Sequence, residues 1–170
     1  MQDVIWKQTV WRQFGASIDM LENAINACPD EVWTGKRGSF YDFWYLASHT
    51  IFWLDFYLEE RREDFAPPKP FGMEELDPAG VLPPRVYTKD ELLKYLDHAR
   101  QKCRKAILAM TEESANRDCG SKRPGLTNLE LLLYSLRHVQ HHTAQLNLIL
   151  RQSIDSAPGW VGKTKIGLEG

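Results

Sequence analysis

The feature that most constrains the fold of this chain is an unbroken helix-period pattern over residues 127–151. Apolar or small residues recur there at spacings of three and four, without glycine or proline between them: Leu132, Leu136, Val139, Thr143, Leu146 and Leu150. Thr127 followed by Glu130 has the form of a capping box, which satisfies free amide donors at a helix start. The pattern predicts a long amphipathic helix with one buried face.

Three earlier segments also have helical periodicity, over about residues 4–27, 40–62 and 88–110. Ser39 is the expected N-cap of the second segment, and Thr88 with Glu91 forms another capping box at the third. The second segment is apolar on nearly every side, which predicts burial against several neighbours. Four helical segments and no strand pattern predict an all-α four-helix bundle.

The connections between these segments are rich in helix breakers. Residues 63–87 contain six prolines and two glycines, so they cannot form a regular helix. Two interpretations fit this long crossover between helices 2 and 3: a segment packed on the bundle surface, or a flap over a site. Residues 31–38 and 111–126 are expected to be connections without helix, and residues 153–170 an irregular tail.

Length and composition limit the classes of protein. A chain of 170 residues can bury one good core, so we expect a single domain over residues 1–170. The net charge of −2 gives no sign of the basic surface that binds nucleic acid. No apolar run reaches the roughly 18 to 20 residues that span a bilayer, and no signal segment is evident, so we expect a cytoplasmic protein without membrane contact. The three separated cysteines are expected to be reduced thiols.

Histidines provide the strongest chemical signal. His138 and His142 are four residues apart, so they share one face of the predicted helix. A helical projection places His142 in the apolar sector, His138 at its edge and His141 outside it. His49 lies in the middle of the most apolar helix, where an unpaired imidazole would cost about 1 to 3 kcal/mol.

Two interpretations of these three histidines remain open at the level of the residues. Three imidazoles with an open position form a common catalytic metal site. Alternatively, they are core or interface histidines whose ring nitrogens contact carbonyls and water. The Glu-x-x-His and His-Glu-x-x-His metal motifs are absent, as are Gly-x-Ser-x-Gly, Rossmann and P-loop patterns. His98, among charged neighbours, is interpreted as a solvated histidine.

Three stretches of the chain resemble the DinB-like superfamily of metal-binding four-helix bundles. They are the aromatic residues 43–50, which include the Ser-His-Thr run at positions 48–50, then residues 87–92, and finally residues 138–145. The resemblance covers nearly the whole chain. It implies a four-helix bundle with a long crossover between helices 2 and 3, and homodimers are common among members.

The resemblance also implies a ligand set. Family members bind metal through one histidine of the second helix and two at four-residue spacing on the fourth, which correspond here to His49, His138 and His142. The implied ion is a divalent transition metal, with zinc or nickel the first candidates. Many members carry Arg-Gly-Gln after the paired histidines, where this chain has Thr143-Ala144-Gln145, so a role for that arginine does not carry over.

Two functions follow as expectations. The first is a metal-dependent enzyme of the thiol-dependent S-transferase type, which joins a low-molecular-weight thiol to a small-molecule substrate. No residue identifies itself as a dedicated general base, and Gln145 is a candidate to support a ligand because it shares a face with His138 and His142. The alternative is a non-catalytic metal-binding or structural homo-oligomeric bundle, with the aromatic tail around Trp160 covering a neighbouring subunit.

Overall fold

The protein folds as a bundle of helices. The computed structural model describes residues 2–169, and no strand occurs within that range. Its α-helices are α1 (Gln2–Ala27), α2 (Asp30–Trp33), α3 (Phe43–Tyr57), α4 (Lys89–Ala109), α5 (Glu112–Asn116) and α6 (Asn128–Ile154). The four long helices confirm the predicted all-α four-helix bundle. None of the described helices is long and apolar enough to span a membrane.

The four long helices enclose the core. Helix α1 packs against α4 and α6, and α3 packs against the same two helices, so α1 and α3 lie on opposite sides of the bundle. Their inward faces are fully buried, for example at Phe14, Ile51, Leu96 and Leu146. Burial of each large apolar side chain contributes roughly 1.5 to 3 kcal/mol. This packing brings the middle of α3 against the middle of α6.

Local capping sets the beginning of two helices. The Thr127 hydroxyl accepts a hydrogen bond from the Glu130 amide, and the Glu130 carboxylate accepts one from the Thr127 amide at 2.8 Å. Thr88 and Glu91 form the same reciprocal pair at the start of α4. Both predicted capping boxes are therefore confirmed. Helix α6 continues past its predicted end to Ile154, and the left-handed backbone of Asp155 (φ 53°) ends it.

The prediction of a helix over residues 40–62 with Ser39 as its N-cap is wrong at both ends. Residues 39–41 form a separate 3₁₀ helix, and α3 begins after Asp42, whose backbone is extended (φ −65°, ψ 137°). At the other end, the amide of Leu58 bonds to the carbonyl three residues back rather than four. This tighter turn ends the α-helix although the sequence remains compatible with one.

Two segments expected to lack helix contain a short one each. Helix α2 overlaps the start of the predicted connection 31–38, and the Trp33 indole donates to the carbonyl of Tyr87 at 2.9 Å, which ties it to the start of α4. Helix α5 lies within the predicted loop 111–126 and begins with a Thr111–Ser114 capping box. Tertiary contacts and a less common capping pair stabilise these single turns, which are too short to show periodicity.

The Pro-rich crossover between α3 and α4 contains only two 3₁₀ helices, Arg62–Asp64 and Glu74–Leu76. Aromatic contacts fix its course. The ring of Phe71 stacks on Tyr95 of α4 with centroids 4.4 Å apart, and Phe65 contacts Phe56 of α3 edge-on at 5.2 Å. The crossover thus packs on the bundle, and its second 3₁₀ helix lies beside α3.

After α6 the tail is irregular, as predicted, and it returns to α1. The Trp11 indole donates to the carbonyl of Ile166 at 2.8 Å, and the amide of Thr164 donates to the carbonyl of Arg12 at 3.1 Å. Trp160 remains 75% exposed. The end of the tail therefore covers its own bundle.

Candidate metal centre

Three histidines from two helices converge between α3 and α6. One ring nitrogen from each of His49, His138 and His142 lies within 4.8 Å of the other two. The ring centroids are 5.3 Å apart for His49 and His138, 4.9 Å for His49 and His142, and 4.4 Å for the α6 pair. Ligand bonds of about 2.0 to 2.1 Å place the nitrogens around one tetrahedral zinc ion about 3.4 Å apart, which is within the 4.8 Å limit. The cluster is compact enough to be a candidate three-histidine metal site.

The local sequence explains how the rings meet. Four-residue spacing puts the two α6 imidazoles on one face, and the direct packing of α3 on α6 brings His49 opposite them. Aromatic rings of α3 surround the cluster: Tyr45 and Trp53 flank His49, and Tyr57 lies edge-on to His138. All three imidazoles are half-buried, in surroundings that limit access of water.

Burial keeps two of the imidazoles neutral. It lowers the pKa of His138 to about 3, and the neighbouring His142 and His49 lower it further in the same direction. Burial lowers the pKa of His142 to about 4, against a smaller opposing effect of its hydrogen bond to Gln145. At neutral pH both rings are therefore uncharged and have a lone pair available for a metal ion.

The hydrogen bonds of the Nδ1 atoms differ among the three rings. His49 Nδ1 lies 2.7 Å from the Glu75 carboxylate, and His142 Nδ1 lies 2.6 Å from the Gln145 side-chain oxygen. Both oxygens are acceptors, so each Nδ1 carries the hydrogen and each Nε2 keeps its lone pair. Buried His138 Nδ1 has no hydrogen-bond partner. A buried nitrogen without a partner and two rings held in the ligand tautomer fit a divalent metal.

Glu75 is the residue of the site that the sequence did not reveal. It lies in the 3₁₀ helix Glu74–Leu76 of the crossover, 26 residues from His49. Its carboxylate also accepts a hydrogen bond from the Trp53 indole at 3.0 Å, and it lies close enough to the Tyr45 hydroxyl to add to the effect of burial, which raises the pKa of that group. Burial raises the pKa of Glu75, but these hydrogen bonds outweigh it and leave the pKa below the usual value. Of the two interpretations of the crossover, only a flap over a site predicts that one of its residues contacts the histidines.

The two other histidines lie outside the cluster. His141 is exposed on the outer side of α6, as the helical projection indicated. His98 is half-exposed on α4, with its Nε2 atom 3.7 Å from the buried carboxylate of Asp55. Gln145, expected to support a ligand, does contact His142. The structure thus separates the chain's five histidines into one cluster of three and two rings outside it, of which His141 lies edge-on to His142 with centroids 5.0 Å apart.

An open groove lies beside the cluster. It has a volume of about 590 Å³ and runs along α6, where His138 is part of its wall together with Tyr134, Leu136, Arg137, Gln140, His141 and Ala144. A volume of this size accommodates a small molecule. A second cavity, of about 520 Å³ at the C-terminal end of α3, is lined by none of the three clustered histidines. The groove beside His138 is therefore the nearer binding space.

The fold and the site together define a class, the helical bundles with a three-histidine cluster between two long helices. The family model described as the DinB superfamily matches residues 13–146, which is more than half of the chain and includes all three histidines. The chain belongs to the DinB superfamily, a family associated with metals. Searches of curated proteins and of solved structures returned no significant match to the chain.

Proposed function

We propose that this protein is a divalent-metal-dependent enzyme of the thiol-dependent S-transferase type. The observation that carries the proposal is the convergence of three imidazoles within 4.8 Å, one of them with a buried and unpaired Nδ1 atom. The groove of about 590 Å³ beside His138 supports a catalytic role, because it offers space for a small molecule next to one of the three histidines.

His49, His138 and His142 would hold the ion. Zinc and nickel are the first candidates among the divalent transition metals that neutral imidazoles suit. When bound, such an ion supplies Lewis acidity and lowers the pKa of a water or thiol at an open position. The chain's own groups orient and shield the site. Glu75 and Gln145 hold two of the rings through their Nδ1 atoms, and the aromatic side chains around them restrict water.

The groove would bind the small-molecule substrate next to the site. Arg137 and Gln140 offer polar contacts along it, and Leu136 and Ala144 offer apolar ones. In the transfer itself the thiol sulfur forms a bond to an electrophilic carbon of the substrate. The thiol proton is released, and the leaving group takes the electron pair of the bond that breaks.

The first test is metal content, measured by inductively coupled plasma mass spectrometry on protein prepared without a histidine tag. We expect about one equivalent of zinc or nickel in the unaltered protein, and none in a folded His138→Ala, His142→Ala double variant. His141→Ala is the matched control, because it removes an adjacent exposed imidazole and should keep the metal. Absence of metal in the unaltered protein after incubation with either ion would contradict the metal site.

The second test is turnover. The metal-loaded protein and the double variant would be compared on a panel of low-molecular-weight thiols and carbon electrophiles, with thioether formation followed by mass spectrometry. Turnover only in the metal-loaded protein supports the enzyme. One bound equivalent without turnover on any pair supports the second candidate below.

A second candidate is a non-catalytic metal-binding or structural homo-oligomeric bundle. The carboxylate nearest the histidines favours it, because Glu75 already accepts hydrogen bonds from His49 and Trp53 and is not placed as a free base. We also propose a homodimer, since Leu133 and Leu148 are about half-exposed on α6 and Trp160 is exposed in the tail. Light scattering coupled to gel filtration tests it, and a monomer at all concentrations contradicts it.

A further inference from the structure

We propose that Glu75 is a positioning residue of the metal centre: it holds His49 in the tautomer and orientation that present Nε2 as the ligand atom, and so makes the crossover part of the site. This inference rests on the proposed metal site. It goes beyond that proposal because it assigns a role to a residue outside the helical bundle.

The hydrogen bonds of Glu75 carry the argument. Its Oε2 atom lies 2.7 Å from His49 Nδ1 and 3.0 Å from the Trp53 indole nitrogen, and the Tyr45 hydroxyl, whose pKa burial raises, is near enough for the carboxylate to raise that pKa further. The side chain of Glu75 is only 10% exposed. A carboxylate accepts and does not donate here, so the hydrogen of His49 must be on Nδ1 and the lone pair on Nε2.

The three polar side chains beside the carboxylate have a common arrangement. Tyr45, His49 and Trp53 follow one another at four-residue spacing on α3, so their polar atoms lie along one face of the helix. The carboxylate of Glu75 lies over that face, where it contacts His49 and Trp53 directly. The Trp53 contact anchors the carboxylate, and the His49 contact orients the imidazole.

The support of His49 differs from that of the other two rings. His142 is held by Gln145, three residues along the same helix, and His138 Nδ1 has no partner. Glu75 instead comes from a separate segment, which Phe71 anchors on Tyr95 and Leu76 anchors on an aromatic cluster of α3. The orientation of His49 therefore depends on the docking of the crossover.

A thermodynamic link follows from this dependence. If docking of the crossover favours the metal-binding form of His49, metal bound at His49 must stabilise the docked crossover by the same free energy. Metal binding should therefore slow amide hydrogen exchange in residues 73–77.

The test compares Glu75→Gln with Glu74→Gln, which alters the adjacent carboxylate of the same 3₁₀ helix. The first readout is the His49 tautomer in metal-free protein, from ¹⁵N chemical shifts of the ring. We expect hydrogen on Nδ1 in the unaltered protein and in Glu74→Gln, and a mixture of tautomers in Glu75→Gln. The second readout is zinc affinity by competition with a chelator, which should fall about 10- to 100-fold in Glu75→Gln alone.

The outcomes separate the possible roles. Unchanged tautomer and unchanged affinity in Glu75→Gln would overturn the proposal, and lower affinity with an unchanged tautomer would do so too, because Glu75 would then act as a ligand. A third variant, Glu75→Asp, keeps the charge and should recover part of the affinity if Glu75→Gln folds poorly. If the unaltered protein binds no metal, the proposed function fails while the tautomer still tests the role of Glu75.

Discussion

Helix α3 contributes to two buried polar clusters, and they differ in how completely their groups are paired. The first, the Asp55 cluster, lies between α3 and α4. Asp55 is fully buried, and its carboxylate accepts hydrogen bonds from Lys102 at 2.7 Å and from the Tyr95 hydroxyl at 3.0 Å. Lys102 also bonds to Glu59 at 2.7 Å. The charged groups of this cluster are therefore paired with groups of opposite charge.

The second is the histidine cluster between α3 and α6. Its three members are all imidazoles. Each can bind a proton or a metal ion, and none carries a negative charge that would neutralise a protonated neighbour. Burial holds two of them uncharged, and the Nδ1 atom of His138 has no partner. Such an arrangement costs free energy in the absence of a ligand.

The contrast indicates different roles for the two faces of one helix. A fully paired buried cluster loses stability when one member is removed, because its partner is left with an uncompensated charge. When one member of an incompletely paired cluster is removed, the protein loses little stability but no longer binds its metal ion. The four predictions below test this contrast, beginning with the largest effect.

Asp55→Ala should give the largest loss of stability, about 3 to 5 kcal/mol, because Lys102 and Tyr95 lose their buried partner. Metal-free His138→Ala should change the free energy of unfolding by no more than about 1 kcal/mol. Urea denaturation monitored by circular dichroism measures both. Asp64→Ala, at an exposed position, is the control, and equal losses at Asp55 and His138 would remove the distinction between the clusters.

Zinc or nickel should stabilise only proteins with an intact histidine cluster. At a free concentration 100 times the dissociation constant, the gain is about 2.7 kcal/mol, because the ion binds the folded state alone. We expect the gain in the unaltered protein and in Asp55→Ala, and none in the His138→Ala, His142→Ala variant. Thermal unfolding with and without a chelator measures it. A gain that survives in the double variant would mean that the ion binds elsewhere.

Stability of the metal-free protein should fall as the pH decreases below about 6.5. The unfolded chain protonates its histidines near that pH, whereas the pKa is about 3 for His138 and about 4 for His142 in the folded protein. Between about pH 6.5 and 4 the unfolded state binds more protons, so lowering the pH favours unfolding.

The expected loss between pH 7.5 and 5.5 is about 1 to 2 kcal/mol, which is less than the full effect because the two rings are half-buried and screened. Urea denaturation at several pH values gives the slope. A His138→Gln, His142→Gln variant is the reference, since all other titrating groups remain. Parallel curves for the two proteins would show that the histidines do not contribute.

Tyr95→Phe should have the smallest effect, a loss of about 1 kcal/mol, because it removes one hydrogen bond to Asp55 and leaves Lys102 in place. Metal affinity should be unchanged. Tyr41→Phe, at an exposed position, is the matched control in the same denaturation experiment. A change in metal affinity would show that the two clusters are coupled through α3.

The sequence by itself determined the features that depend on neighbours within a few residues. The capping boxes at Thr88 and Thr127 begin α4 and α6 because the partner groups lie three positions away. The pairing of His138 with His142 follows from helical spacing, as does the contact of Gln145 with His142. The apolar surroundings of His49 made it a third candidate, and the resemblance to a known family assigned it to the same site, because no local pattern connects it to the α6 pair.

Only the tertiary structure decided the rest, because those contacts join positions far apart in the chain. The limits of α3 depend on the turn at Leu58 and on the extended backbone of Asp42 rather than on propensity. The meeting of His49 with the α6 histidines requires α3 to pack on α6, and the contact of Glu75 requires the crossover to dock 26 residues away. Spacing along a helix specifies a face, whereas packing specifies what lies opposite that face.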